Sequence, residues 1–312
     1  MRKLIRSTAI MGLGSAATVV AAILRAKTLA FLLGPGGTGI LAQLSTLTSM
    51  LVPLATLGLG NGVTAMIAGA RARGDLSLVR RIRSTSLSLT WMVGLGFAAV
   101  TALLSPWLAD ALFHDRAFTW VVWIGAVVIP LSAVASLRVS ILQGYEAVKS
   151  MAGLNVIIAI ASITAILPLA WFLKLPGAVS QLVVVAAVYV IASGLLERRN
   201  RPDTDGSKAA RIDRSLLRPL MRYGSSALLV GLSSTLTLLV LRSVLVSKLG
   251  LEPNGIYQVC VGISGLYMPL ILNSITAIVW PQIAAQKSDE ETTTTMRQAL
   301  RLGLLLMTGA AG

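Results

Sequence analysis

Apolar stretches of about 20 residues or more recur along this chain, each long enough to cross the ~30 Å hydrocarbon core of a bilayer as a helix. They lie at about 8–33, 38–70, 84–105, 119–143, 150–173, 177–196, 223–249 and 255–285. Inside lipid every backbone N–H and C=O needs an internal partner, and a helix supplies one within each segment. The fold class is therefore all-α and polytopic, with eight full transmembrane helices. A further apolar segment starts near Met296 and the sequence ends at Gly312, so the start of a ninth helix is expected, together with a C-terminally incomplete chain.

The N-terminal "MRKLIR" followed by an apolar run has the look of a signal peptide, but the run continues past Arg25 to Leu33. That is longer than the 7–15 residues of a typical signal-peptide apolar region, so the segment is read as the first membrane helix. Cys260 is the one cysteine of the sequence and cannot form an intrachain disulfide.

The net charge of +15 could suggest nucleic acid as a partner, but its distribution excludes that. If odd-numbered spans run from inside to outside, the inner segments collect Arg2, Lys3, Arg6, Arg71, Arg73, Arg80, Arg81, Arg83, Lys149, Arg198, Arg199, Arg201, Lys208, Arg211, Arg214, Arg218, Arg222, Lys287, Arg297 and Arg301. These are 20 of the 27 cations, against Arg116 and Lys174 outside. Such an excess orients a membrane protein with its basic loops, and here its N-terminus, in the cytoplasm. Contact with anionic membrane lipids is a second use of the same charges.

The longest inner loop, "ERRNRPDTDGSKAARIDRSLLRP", is polar and charged and reads as a linker. The chain beyond this loop repeats a pattern from its N-terminal part. "LRAKTLAFLLGPGGTGI" at 24–40 matches "LRSVLVSKLGLEPNGI" at 241–256 with one residue of gap, aligning Arg25 with Arg242, Gly34 with Gly250 and Gly39-Ile40 with Gly255-Ile256. Six spans separate the copies, so both enter the membrane from the same side, and the halves form a parallel repeat of the kind found in transporters. The expected organisation is an N-terminal lobe of six helices at 1–196, a cytoplasmic linker at 197–217 and an incomplete C-terminal lobe at 218–312.

Each lobe's first helix thus carries an arginine about 12–14 Å before its outer end, at 1.5 Å per residue. Arginine at mid-depth costs at least ~2.5–3.5 kcal/mol on insertion scales and normally faces a watery cavity or a partner. Every acidic residue falls in a loop or near a span end, leaving no mid-depth carboxylate for Arg25 or Arg242. Unpaired guanidinium groups suit an anionic passenger, because their planar fork grips phosphate oxygens in pairs at any cellular pH. A phosphate-bearing substrate is expected at Arg25 and Arg242. Lys27 lies about 200° round the helix from Arg25, where substrate contact and snorkelling are alternatives. Arg138, near the inner end of the fourth span, is expected to snorkel. Gln43, Asn61, Gln258 and Asn273 in the second and eighth spans could bond sugar hydroxyls or other helices.

Other motifs dissolve. "GPGGTG" at 34–39 lacks the Lys-Ser/Thr of a phosphate loop, and "GLGSAA" and "GLGFAA" lie inside membrane spans with no preceding strand. His114 has Asp110 and Asp115 nearby but no second histidine or cysteine to complete a transition-metal site. No Ser/His/Asp or Cys/His set can be assembled, so no catalytic residue, metal or cofactor is expected.

The run "RAKTLAFLLGPGGTGILAQ…LATLGLGNGVTAMIA", with its Gly34-Pro35 corner, its "LGLGNGVT" and the later "GIYQ" after Gly255, resembles the Wzx-type flippases of the multidrug/oligosaccharidyl-lipid/polysaccharide (MOP) exporter superfamily. The nearest likeness is to the O-antigen and enterobacterial-common-antigen translocases. The resemblance implies a two-lobe fold of about twelve to fourteen helices around a cationic cavity. It further implies a non-enzymatic role: moving undecaprenyl-diphosphate-linked oligosaccharide from the inner to the outer leaflet of the bacterial inner membrane. Arg25 would be a cavity arginine, and polysaccharide polymerase and chain-length proteins are implied partners. One rival is a cation-coupled multidrug exporter, which would need a membrane carboxylate for its passenger. The other is a glycan polymerase or ligase, which would need a large outer loop; the longest here runs from about Ser105 to Phe118.

The charge asymmetry makes a direct prediction. A reporter fused after Arg211 should remain cytoplasmic and one fused near Asp110 should be exported. The reverse pattern would invert the topology and the depth argument built on it.

Overall fold

The structure is a computed structural model that describes residues 2–201, 213–262 and Gly265. The described residues form helices joined by short turns, with no strand among them. The chain divides into two compact units, Met1–Ile256 and Tyr257–Gly312. Of the second, residues 257–262 and Gly265 are described, and all are helical. Seven of the eight expected spans and the start of the eighth are therefore in view. The remainder of the eighth, the ninth and Asn273 lie outside the described residues.

Helix α1 (Arg2–Ala55) joins the first span to the second through one non-helical residue, Gly34, at φ 65° and ψ −174°. After α7 (Arg214–Leu249) the backbone repeats the device at Gly250, φ 92° and ψ −176°, before residues 251–256 resume helix. A left-handed, extended pair of angles of this kind is open to glycine and costly for residues with a Cβ. The two glycines aligned by the sequence repeat thus make the same corner.

The fifth and sixth spans form one helical hairpin, α6 (Val148–Asn200), which turns at Lys174 (φ 50°, ψ −127°). Its arms are antiparallel: the Asn200 amide donates to Ser150 Oγ at 2.6 Å and the Gln181 amide to the Ser162 carbonyl at 3.5 Å.

The second span departs from its expected form. The apolar run predicts one helix over 38–70, but helix stops at Ala55 and restarts as α2 (Leu59–Ala72). Pro53 has no N–H to give to the ladder, and Leu57 and Gly58 take left-handed backbone at φ 51° and 64°. The segment 105–118 departs too. It is not merely a loop, for Ser105–Phe113 forms α4, with Pro106 in its first turn and Ala109, Leu112 and Phe113 buried at helical spacing.

Conventional signals set the other ends. Asp75 caps α3 (Leu76–Leu103), accepting the Leu78 N–H at 2.9 Å and the Ser77 hydroxyl at 2.8 Å. A 3-10 turn at Arg116–Phe118 leads into α5 (Thr119–Gly144). Asp213 caps α7, accepting the Ser215 hydroxyl at 2.6 Å and the Ser215 N–H at 3.0 Å. The same carboxylate takes the Arg81 guanidinium from α3, and the Asp213 N–H donates to buried Thr85 at 3.1 Å. The Ser215 hydroxyl, then Arg81, hold the Asp213 carboxyl down to about 2. A depressed carboxyl contributes its contacts above the ordinary carboxylate range and loses them as pH falls through that value, so this link is fully charged at cellular pH.

Two large apolar clusters among the described residues hold the first unit, beside a small one of Ala55, Ile129 and Ala133. One joins α1, α5 and α6 through residues such as Leu44, Leu47, Val121, Val122, Ile166 and Val179. The other joins α2, α3 and α5 to the start of α7 through Leu59, Ile67, Ile82, Ile141, Leu216 and Leu220. Phe31, Leu103, Trp123, Trp171 and Phe172 stand exposed. An apolar surface of this kind fits lipid as its solvent, and the chain is a multi-pass membrane protein.

Near the C-terminal end of α6, buried Glu197 receives Arg83 of α3 and lies 3.4 Å from Nε of Arg138 of α5. Arg138 also donates to the Val190 carbonyl at 2.6 Å. Arg138 therefore does not snorkel: a carboxylate that the sequence pattern assigned to the linker turns inward and holds it. Removing one member of a buried charge cluster leaves the others uncompensated, at a cost of about 3–5 kcal/mol. Glu197→Gln should accordingly lower the thermal unfolding midpoint of the detergent-solubilised protein and its membrane abundance. Replacing Arg83, Arg138 and Glu197 together by apolar residues should recover much of the loss. An unchanged midpoint in the single variant would show that the guanidinium groups are satisfied elsewhere.

Candidate functional site

The repeat supplies two arginines, nine residues before Gly34 and eight before Gly250, and the fold treats them differently. Arg242, on α7, is 2% exposed and donates to Oδ1 of buried Asn254 at 3.4 Å. The Asn254 amide in turn donates to the Gly39 carbonyl at 3.0 Å. One residue beyond Arg242, Ser243 accepts from the amide of fully buried Gln43 at 3.1 Å. Gln43, Gly39, Asn254 and the Arg242-Ser243 pair therefore form one polar cluster between α1 and the α7 corner.

Arg25 has no such arrangement. By the repeat, the counterpart of Asn254 is Thr38, whose hydroxyl turns back on its own corner, donating to the carbonyls of Pro35 and Gly34 at 2.7 and 3.0 Å. Threonine is too short to reach back along the helix as the asparagine does. Arg25 is left half-buried, with Nε enclosed and lacking a hydrogen-bond partner among the described residues. Burying that N–H unpaired costs free energy that an incoming anion would remove.

The other expected site residues divide between these settings. Lys27 is exposed on a different face of α1 from Arg25, and Asn61 is exposed at the third position of α2. Neither takes part in the Gln43–Ser243 cluster. Gln258 is half-buried in a helical stretch of the second unit. Sequence reasoning did not single out Asn254 or Ser243. The signal for Asn254 was available, because it immediately precedes the second glycine of the repeat just as Thr38 does. Among the described residues, no group of three or more His, Cys, Asp or Glu could hold a metal ion.

Electrostatically, Glu197 is already occupied by two guanidinium groups, while Arg25 presents an unsatisfied one.

Comparison with known proteins agrees with this architecture. The chain is 23% identical over 294 residues to the lipid III flippase of Escherichia coli (strain K12), covering 93% of this chain and 70% of the relative. The lipid III flippase of Shigella flexneri matches to the same extent. Among solved structures, an inward-facing multidrug resistance MATE family transporter of the MOP superfamily superposes with a TM-score of 0.74 at 16% identity, covering 96% of this chain and 72% of the other. A MOP superfamily transporter from Pyrococcus furiosus Vc1, described as having a binding pocket of reverse polarity, gives a TM-score of 0.69 at 16% identity, with 98% and 70% covered. Residues 4–286 match the family described as polysaccharide biosynthesis protein. With that match over most of its length, the chain belongs to the polysaccharide biosynthesis protein family and has the two-lobe fold of the MOP superfamily transporters.

Proposed function

We propose that the protein is a flippase that carries undecaprenyl-diphosphate-linked oligosaccharide, an O-antigen or related surface-polysaccharide unit, from the inner to the outer leaflet of the bacterial inner membrane. The observation that carries this reading is Arg25: a permanently charged side chain part-way through a membrane helix, its Nε buried and without a protein partner among the described residues. A diphosphate satisfies such a group through charge-assisted, paired hydrogen bonds. The lipid III flippase relatives support a lipid-linked passenger, and the family match supports a place in polysaccharide assembly.

In this mechanism the N-terminal lobe is 1–196 and α7 begins the C-terminal lobe, with the basic linker and the N-terminus in the cytoplasm. The headgroup enters between the lobes from the cytoplasmic side, Arg25 replaces water around the phosphates, and the prenyl tail remains in lipid. Lys27 and Asn61, both exposed, meet the outer parts of the headgroup and its sugars. Gln43 and Arg242 belong to the wall behind them, and Gln258 offers a further amide to the sugars. Rocking of the lobes then exposes the site to the opposite face. No bond is made or broken. A membrane potential negative inside favours export of an anion by ~2.3 kcal/mol per charge per 100 mV. Polysaccharide polymerase and chain-length proteins would receive the exported unit.

The test uses full-length protein in a flippase-deficient strain, with membrane abundance measured in parallel. Losing one charge-assisted contact of ~1.5–3 kcal/mol lowers affinity by about one to two orders of magnitude. Arg25→Ala should therefore accumulate normally yet fail to restore surface glycan, with lipid-linked oligosaccharide building up in the inner leaflet. Arg25→Lys should restore part of the export, because charge is retained and the fork is lost. Undiminished export by the alanine variant would return Arg25 to a structural role.

A further inference from the structure

Hydroxyls inside the spans commonly turn back on their own helix. Thr28, Thr46, Ser162 and Thr164 each donate to a carbonyl three or four residues earlier, at 2.8 or 2.9 Å, which satisfies a hydroxyl set among apolar groups. On α5 two serines do not. The side chains of Ser132 and Ser136 make no hydrogen bond among the described residues, with Ser136 exposed and Ser132 half-buried.

At 3.6 residues per turn Ser132, Ser136, Ser140 and Gln143 fall within about 80° of one another. Trp123 and Val127, the large apolar side chains that α5 exposes, stand on roughly the opposite side of the helix. The helix therefore has one face suited to lipid and another, over the half that ends at Gly144, suited to water.

Helix α2 continues the polar face. Its Leu59, Val63, Ile67 and Ala70 are buried, while Asn61 is exposed and Thr64 half-buried on the other side. Two glycines bring neighbours close on either flank: a Cβ on Gly60 would stand 2.9 Å from Ser140 Oγ of α5, and one on Gly62 would stand 2.6 Å from the Leu220 carbonyl of α7. Asn61 lies between them, its side chain without a hydrogen bond among the described residues. The Thr64 hydroxyl donates to the Ser140 carbonyl at 2.9 Å and reaches Gln143 Oε1 at 3.4 Å. The oxygen of the exposed Gln143 amide is thereby held, and its NH2 group has no partner among the described residues.

We propose that this strip, Asn61 and Thr64 of α2 with Ser132, Ser136 and Gln143 of α5, is the glycan-reading surface of the transport path: it binds the sugars that follow the diphosphate and sets which are accepted. The inference rests on the flippase reading for the presence of a glycan and deepens it by assigning the residues that meet one. The strip carries no charge, so it adds nothing to the hold on phosphate. Its hydroxyls and carboxamides match ring hydroxyls and acetamido groups, donor to acceptor. From Ser132 to Gln143 it runs about 16 Å along α5 at 1.5 Å per residue, room for a short oligosaccharide. A surface built to pair hydroxyls discriminates, because a sugar that lacks one leaves a protein group unpaired.

The test uses full-length protein in nanodiscs of phosphatidylethanolamine and phosphatidylglycerol, in a background that carries Cys260→Ser because the native thiol is exposed. Single cysteines, Ser136→Cys and Trp123→Cys, are exposed to a membrane-impermeant methanethiosulfonate, and the initial rate is read by intact mass. Affinities for two probes, undecaprenyl diphosphate and undecaprenyl-diphosphate N-acetylglucosamine, are measured on the same discs.

Ser136→Cys should react readily and Trp123→Cys barely. The sugar-bearing probe should slow the Ser136→Cys reaction, and the bare diphosphate should not. In Gln143→Met the ratio of affinities, sugar-bearing over bare, should fall about fivefold, the change that one neutral hydrogen bond supports. Equally slow reaction of the two cysteines would put the strip in lipid and overturn the proposal. So would a Ser136→Cys reaction that the sugar-bearing probe leaves unchanged, or an unchanged affinity ratio in Gln143→Met. A parent that binds the bare diphosphate and gains nothing from the sugar would leave the flippase reading standing and overturn the glycan strip alone. A parent that does not bind the bare diphosphate would overturn the flippase reading and the glycan assignment with it.

Discussion

A guanidinium group stays charged at any pH a cell experiences, so every arginine carried into or beside an apolar layer must be given a partner by the fold. The described part of this protein can be read as the way that requirement is met. Arg83 and Arg138 share the buried carboxylate of Glu197, tying α3 and α5 to the end of α6. Arg242 is enclosed against Asn254 and through it reaches the Gly39 carbonyl of α1. Arg81 at the surface holds the cap of α7. Arg25 differs in that no hydrogen bond or ion pair to its guanidinium is found among the described residues.

The repeat explains both the likeness and the difference. Equivalent glycines make equivalent corners, as the backbone angles of Gly34 and Gly250 show, and those corners meet symmetrically, Gly39 against the Leu251 carbonyl and Gly255 against the Pro35 carbonyl. The corners differ in the side chains they carry. Thr38 closes on its own turn, whereas the longer Asn254 side chain bonds forward to the opposite corner and back to Arg242. Arg242 is enclosed and Arg25 is half-buried.

Much of the fold was legible in the sequence because the signal is coarse. About twenty apolar residues make a membrane helix with little regard to their order, so the spans of the first unit fall where the apolar runs place them. The positions of the helix corners were legible because the repeat marks them with glycine. What was not legible depended on details that hydropathy averages away. The break after Ala55 comes from Pro53 together with left-handed Leu57 and Gly58 inside an unbroken apolar run. Helix also continues into both ends of the polar 197–217 segment, to Asn200 and from Arg214, because capping by Asp213 and the burial of Glu197 outweigh local polarity there. For the site, Arg25 and Arg242 could be named from spacing and depth. Their different surroundings could not, because those depend on which side chain, 12 residues beyond Arg242, folds back to meet it.

The central claim is that this family member moves an anionic lipid headgroup across the bilayer by means of Arg25. Reconstitution of the full-length protein into unilamellar vesicles, followed by the transbilayer movement of a fluorescent short-chain polyprenyl-diphosphate sugar, tests it most directly. The account predicts movement well above that in protein-free vesicles, lost in Arg25→Ala and absent for a cationic lipid analogue in the same vesicles. Movement that is equal with and without protein, or that carries the cationic analogue as readily as the diphosphate, would contradict it.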